Sequence, residues 1–262
     1  MQSPPANGAD IASRSACMAT IDPGEKPSVD ELRLYSQPIL SLQRSRYEMA
    51  EVFVRLREEE ETLLHPGDFL PAFEHLGMMP ELDRWVTAHV LDHLRQGSRV
   101  SRFCINVSGQ TLRDPAFPAY VAECLKSKSV SGAALVFEID ESDISEQSNE
   151  AVSFAIAIKA IGCSVSYDGF ARHAISFTAL KFLEPDFIKV DGSVIRNILK
   201  SEQALAKLNT VLRVAKVIGI DVIAESVEEQ DILARLTSLG VRYVQGYGIV
   251  EPHPIEQLGP SR

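Results

Sequence analysis

Short runs of β-branched and aromatic residues alternate along this chain with longer segments of helical periodicity, the pattern of repeated β-α units around a parallel sheet. Eight runs read as strands: 32–40 (LRLYSQPIL), 47–56 (YEMAEVFVRL), 102–108 (RFCINVS), 134–140 (ALVFEID), 163–169 (CSVSYDG), 186–191 (DFIKVD), 221–226 (DVIAES) and 242–248 (RYVQGYG). Helices fill the intervals. Over 81–95, for example, Leu82, Trp85, Val86, His89, Val90 and Leu94 recur at helical spacing. Only SLQRSR separates the first two strands, too little for a helical crossover, so that pair is expected to be an antiparallel hairpin. The pattern predicts an α/β fold, a (β/α)8 TIM-like barrel with an antiparallel first hairpin, between about residues 30 and 255.

The length of 262 residues fits one such barrel, because barrels of this type occupy about 250 residues. Residues 1–29 are small, polar and Pro-rich, and read as a flexible N-terminal tail before a barrel domain at 30–262. A 45% hydrophobic content beside 24% charged residues supplies a core. The net charge of -10, with no stretch interleaving basic and aromatic residues, argues against polymeric nucleic acid as a partner. It leaves room for a small phosphorylated molecule, since a divalent cation held by carboxylates reverses the local charge. The first twenty residues lack a continuous apolar core, so neither a signal peptide nor a membrane span is read, and a cytoplasmic location is expected. Cys17, Cys104, Cys124 and Cys163 form no C-x-x-C pair and read as reduced thiols, with Cys104 and Cys163 in strand-like runs.

A charged side chain in a barrel strand covered on both faces costs several kcal/mol unless it is paired or binds an ion. Here such residues recur: Glu51, Asn106, Glu138, Asp168, Lys189, Glu225 and Gln245 each fall at or near the carboxyl end of a run. Barrel active sites assemble at that end. Any one of them alone reads equally well as a partner in a core network. Together they form a candidate site. Carboxylates and an amide without cysteine suit Mg²⁺, Mn²⁺ or Ca²⁺, with Mg²⁺ or Mn²⁺ the first expectation. A strand lysine in this company orients or deprotonates a water, or neutralises charge on a phosphoryl group. Schiff-base chemistry is disfavoured because the surrounding carboxylates keep the amine charged.

The order and neighbours of these residues resemble the EAL-domain family of bacterial cyclic di-GMP phosphodiesterases and receptors, over residues 32–254. YSQPIL is similar to the family's Tyr-Gln-Pro-Ile opening. AEVFVRL corresponds to its Glu-Ala-Leu-x-Arg signature, with Glu51 and Arg55 kept. PGDFLPAFEHLGMMPELDRWV, CINVS, FEIDES, LKFLEPDFIKVDGS, VIAESVEE and QGYGIVEP match successive family motifs in order and spacing. The resemblance implies Glu51, Asn106, Glu138 and Asp168 as ligands of a first divalent metal. It implies Lys189 acting on the hydrolytic water and Glu225 near a second metal. Gln37 and Arg55 would contact the ligand's phosphate or guanine, and Gln245 would line the same pocket. In active members two metals bracket the water and the scissile phosphate.

Two departures stand out. Where active members read Asp-Asp-Phe-Gly-Thr-Gly-Tyr-Ser-Ser, this chain reads Asp168, Gly169, Phe170, Ala171, Arg172, His173, Ala174, Ile175, Ser176, so the second aspartate, an expected ligand of the second metal, is glycine. Asp140 stands where the family usually has threonine, before the retained Glu141. The leading expectation is a degenerate member that binds cyclic di-GMP and signals with weak or absent hydrolysis, carrying one metal site and lacking the second. The alternatives are a working Mg²⁺- or Mn²⁺-dependent phosphodiesterase and an interaction module with a vestigial pocket. A protein partner fits the degenerate reading, and relatives' behaviour implies a homodimer through the fifth strand and its loop.

Other local signals read as structural. His89 and His93 lie four apart on a helix without the metalloprotease glutamate and belong to a helix face. REEEE at 57–61 is a solvated run, and Ser108 in NVSG is no nucleophile elbow. Arg172 and His173 either fill the space of the missing aspartate, meet a partner, or form an exposed loop.

Overall fold

The computed structural model describes residues 31–57, 63–173 and 177–260. The 1–29 segment and the glutamates of the 57–61 run lie outside the described residues. Ten strands form one sheet: β1 (Leu32–Ser41), β2 (Arg46–Arg57), β3 (Leu63–Leu64), β4 (Arg102–Val107), β5 (Leu135–Asp140), β6 (Ser164–Phe170), β7 (Phe187–Val190), β8 (Asp221–Ala224), β9 (Tyr243–Val244) and β10 (His253–Pro254). Their order is β10-β1-β9-β8-β7-β6-β5-β4-β2-β3, and an additional β1–β2 pairing closes eight of them into a barrel. The short β3 and β10 lie outside that ring, on β2 and β1.

The expected hairpin is present. β1 runs antiparallel to β2, with Gln37 opposite Glu51 and Ile39 opposite Met49, and antiparallel to β9 as well. Every other pairing in the ring is parallel. A tight turn joins β1 to β2 and ends on Ser45 at φ 50°.

Helices cover the outside because each strand leaves apolar residues on its outer face. The Met79–Gln96 helix is the clearest case, with Leu82, Val86, Val90 and Leu91 buried against the strands. Pro80 sits in its first turn, where a missing N–H costs nothing, and Gly97 ends it at φ 102°. Among the outer-layer residues Phe117, Phe137 and Phe154 are buried and meet edge to face across strand and helix. Truncating one of them to alanine costs about 3–5 kcal/mol. The predicted histidine pair belongs to this packing: His89 stacks on Trp85 with ring centroids 4.0 Å apart, and His93 meets the edge of Phe103. Cys104 and Cys163 are buried and free, and Cys124 is free and half-buried. Among the described residues no helix is long and apolar enough to cross a membrane.

Candidate metal and ligand site

Successive strand side chains point to opposite faces, so residues two apart share the barrel interior. Ile39, Met49, Cys104, Val136, Phe187, Ile223 and Tyr243 pack together as an apolar floor inside the barrel. Two residues along each of these strands stand Gln37, Glu51, Asn106, Glu138, Lys189, Glu225 and Gln245. In β6 the same step leads from the buried Ser166 to Asp168. For the seven parallel strands of the ring this step runs toward the carboxyl end. For β1, which runs the other way, it runs toward the amino end, and that is why Gln37 joins the same rim. The floor closes the barrel below the polar layer and keeps water from reaching it from that side.

Lys189 is the centre of the rim. Its Nζ lies 2.8 Å from Glu51 Oε2, 3.0 Å from Glu138 Oε2, 2.9 Å from Glu225 Oε1 and 3.5 Å from Asp168 Oδ1. The lysine is 1% exposed. Burial alone would push its ammonium toward neutrality, but Asp168, Glu138, Glu225 and Glu51 outweigh burial and hold its pKa well above the usual lysine value. A single pair near 3 Å is worth roughly 5 kcal/mol at an effective dielectric of about 20, so several such pairs exceed the desolvation cost. Lys189 is therefore a fixed cation and not a nucleophile.

Four carboxylates around one ammonium leave surplus negative charge, and the carboxyls divide it unequally. Burial pushes Glu138 well above the usual carboxylate range despite Lys189, with Glu51 and Asp168 adding to the push. Burial likewise pushes Glu225 up to about 8, against the pull of Lys189. Glu51 goes the other way: burial raises it, but Lys189 and hydrogen bonds donated by Asn106 Nδ2 (3.0 Å) and Gln245 Nε2 (2.7 Å) bring it below its ordinary value. Gln245 also donates to Gln37 Oε1 at 3.0 Å, and Gln37 donates to the Val250 carbonyl. Glu138 Oε1 is buried with no hydrogen-bond partner among the described residues.

Among the described residues no three acidic, histidine or cysteine side chains are arranged to hold a metal ion, because the carboxylates converge on the Lys189 ammonium. The donor chemistry nevertheless fits one hard cation beside Glu51, Asn106, Glu138 and Asp168: all four offer oxygen, and the orphaned Glu138 Oε1 lacks a partner that a cation would supply. It does not fit a second. Gly169 has no side chain, and the Arg172 guanidinium lies over it, with Nη2 2.5 Å from where a Cβ would stand.

Other predicted residues are placed as follows. Arg55 is buried but outside the hydrogen-bonded cluster, its guanidinium 5.8 Å from the Tyr35 ring centre and 5.7 Å from that of Phe53. Its Nη1 donates to the Val54 carbonyl. Asp140 faces Arg172 at 3.0 Å and accepts from Ser142 N at the start of the next helix. Of the openings around the rim, a cavity of about 240 Å³ is lined by Gln37, Glu51, Phe53, Glu225, Ser226, Glu228, Gln245, Gly246 and Tyr247.

Sequence reasoning missed two contributors. Asp83, on the buried face of the Met79–Gln96 helix, accepts from Ser108 N (3.1 Å), Ser108 Oγ (3.0 Å) and Thr111 Oγ1 (2.6 Å), pinning the turn just past Asn106. Its place in the stripe of Leu82, Val86 and Val90 was the available signal. Tyr247, 60% exposed, lines the cavity, but inside the run 242–248, which reads as a strand, an aromatic residue carries no separate signal.

A family model described as EAL domain matches residues 25–252. The chain is 30% identical over 225 residues to a cyclic di-GMP phosphodiesterase, PdeF of Escherichia coli K12, covering 85% of this chain and 30% of that relative's length. The FimX EAL domain from Pseudomonas aeruginosa bound to c-di-GMP superposes with a TM-score of 0.80 at 26% identity, over 94% of this chain and 96% of that one. The PaMucR phosphodiesterase in c-di-GMP complex reaches 0.81 at 24% identity, over 87% and 94%, a likeness of fold.

Proposed function

The chain belongs to the EAL domain family, and from that footing we propose that it is a cyclic di-GMP receptor with weak or absent hydrolysis. The observation that carries the reading is the Arg172 guanidinium over Gly169, in the space a carboxylate side chain would need.

Cyclic di-GMP presents two phosphodiesters and two guanines, and the rim offers matching chemistry. The amides of Gln37 and Gln245 line the cavity, Arg55 stands beside its Phe53 wall, and the exposed Tyr247 ring gives a guanine a face to stack on. Stacking of a base on an aromatic ring is worth about 1–3 kcal/mol. Lys189 stays protonated and meets phosphate charge from below. One divalent ion, Mg²⁺ or Mn²⁺, would be held by Glu51, Asn106, Glu138 and Asp168. When bound, such an ion polarises a phosphoryl oxygen and makes a water more acidic.

Binding and turnover make different demands on this rim. Stacking and amide contacts act on the ground state, whereas in-line cleavage needs charge stabilisation at both the attacking and leaving oxygens. Losing one of two ions removes several kcal/mol from the transition state alone. A second reading, a working phosphodiesterase, is favoured by Glu51, Asn106, Glu138, Asp168, Lys189 and Glu225 standing at one rim. Incubation with cyclic di-GMP and Mn²⁺ separates them. The receptor reading expects no linear dinucleotide above the level of a Glu51→Ala control, and product that the control abolishes would overturn it.

A further inference from the structure

Arg172 is held more firmly than an exposed loop arginine needs to be. Its Nε donates to Asp191 Oδ2 at 2.9 Å and its Nη1 to Asp140 Oδ2 at 3.0 Å. Both carboxylates are themselves fixed: Asp191 Oδ1 accepts from Ser193 N (2.8 Å), and Asp140 Oδ1 accepts from Ser142 N (2.9 Å) and Ser142 Oγ (2.6 Å). The loop is tied down too, with Lys207 Nζ donating to the His173 carbonyl at 3.0 Å.

The backbone is bent to bring the guanidinium there. Gly169 and Ala171 both lie at φ 68°, and Arg172 N donates to the Gly169 carbonyl, so the chain doubles back and lays the side chain over Gly169. For the buried Ala171 that left-handed conformation is strained. Any side chain at 169 would collide with the guanidinium: Nη2, Cζ and Nε would stand 2.5, 2.8 and 3.3 Å from its Cβ. Glycine at 169, arginine at 172 and aspartate at 140 are thus parts of one arrangement, although the sequence separates them by up to 32 positions.

The third nitrogen has no such duty. Nη2 makes no hydrogen bond among the described residues, and the side chain is 38% exposed. It lies over Gly169, whose N donates to Asp168 Oδ1 at 2.9 Å, and Asp168 is a direct neighbour of Lys189. Asp140 pairs in register with Asp168 across β5 and β6, so the clamp is continuous with the rim. A purely structural arginine between two carboxylates would have its fork closed. Here two arms are locked and the third nitrogen, over Gly169, is left without a hydrogen-bond partner among the described residues.

We propose that Arg172 is the chain's built-in cation on this side of the rim: it excludes a second divalent ion and donates Nη2 to a phosphodiester oxygen of the cyclic dinucleotide. This rests on the receptor reading above and adds the residue that makes binding independent of metal. Guanidinium suits the task because its charge is permanent and its planar fork holds two carboxylates while presenting a third donor.

The test is calorimetric titration of cyclic di-GMP into the protein in EDTA, for wild type, Arg172→Ala and Arg172→Gln, repeated in Mn²⁺ for the wild type, with a Mn²⁺ titration of the nucleotide-free wild type. Wild type is expected to bind in EDTA, and both variants to bind about tenfold or more weakly, the range of one charge-assisted hydrogen bond. Mn²⁺ is expected to saturate at no more than one ion per chain. Arg172→Gln is shorter and uncharged but keeps a polar head, so a loss shared by both variants, each still unfolding cooperatively, reports the guanidinium and not the fold. Equal affinity of variants and wild type overturns the proposal and leaves the receptor reading standing, as does wild-type binding that EDTA abolishes or a second Mn²⁺ on the wild type. No wild-type binding in either buffer overturns both.

Discussion

Lys189 and the four carboxylates around it form a balance in which each member is buried at the others' expense. Removing the ammonium leaves buried carboxylates unpaired, and breaking such an arrangement typically costs about 3–5 kcal/mol. Lys189→Met is therefore expected to lose stability on that scale in urea unfolding; a loss below about 1 kcal/mol would mean that water already neutralises the rim. Asp83 makes a different prediction. Burial pushes its carboxyl up to about 6 from the ordinary 3.8, against the hydrogen bonds from Thr111 and Ser108. A folded pKa above the unfolded one means that its stabilising contribution is complete below about pH 4 and is lost as pH rises through about 6. The swing is roughly 3 kcal/mol at most. Asp83→Asn lacks this titration, so the stability gap between wild type and variant is expected to narrow from pH 4.5 to 7.5; parallel stability curves would contradict it. These two residues also mark what a sequence discloses. Lys189 is legible because a charge inside an apolar strand demands a partner. Asp83 is less so: it falls beside the apolar stripe of Leu82, Val86 and Val90, but a single acid at the edge of a stripe looks solvated until its partners Ser108 and Thr111 are seen.

The strands show why so much of the site could be read in advance. Floor and rim are successive inward steps of one period-two pattern, so an apolar residue followed two positions later by Glu, Asn, Lys or Gln marks the carboxyl end of every parallel strand but β6, where Ser166 precedes Asp168. Strand ends were harder to place. The run 242–248 reads as seven extended residues, but only Tyr243–Val244 pair as β9. Beyond them the chain leaves the ladder to follow the backbone of Val227, with Val227 N donating to the Gln245 carbonyl and Gly248 N to the Val227 carbonyl. Gly246 permits that approach, because a Cβ there would meet Val227 N at 2.2 Å and Val227 O at 2.3 Å. Gly246→Ala is expected to cost about 1–3 kcal/mol by overpacking and to displace Gln245 from Glu51 and Gln37. An unchanged melting temperature would contradict the close approach. The 169–173 turn was legible only in part: Arg172 does lie over Gly169, one of the readings its sequence allows, but its partners Asp140 and Asp191 are distant in sequence and only the barrel's closure brings them together.

At the scale of the molecule, the proposed receptor would hold its anionic ligand, in a chain of net charge -10, through cations and amide donors gathered on one rim over an apolar floor. The chain spans 30% of the length of PdeF. The central claim is that the rim recognises cyclic di-GMP without turning it over. It is tested most directly in one sample: calorimetric titration with cyclic di-GMP in Mn²⁺, followed by chromatography of the nucleotide recovered from the cell. The account predicts saturable binding at one nucleotide per chain with the cyclic form recovered intact. Linear dinucleotide accumulating with time in the wild type, and absent with Glu51→Ala, would contradict it.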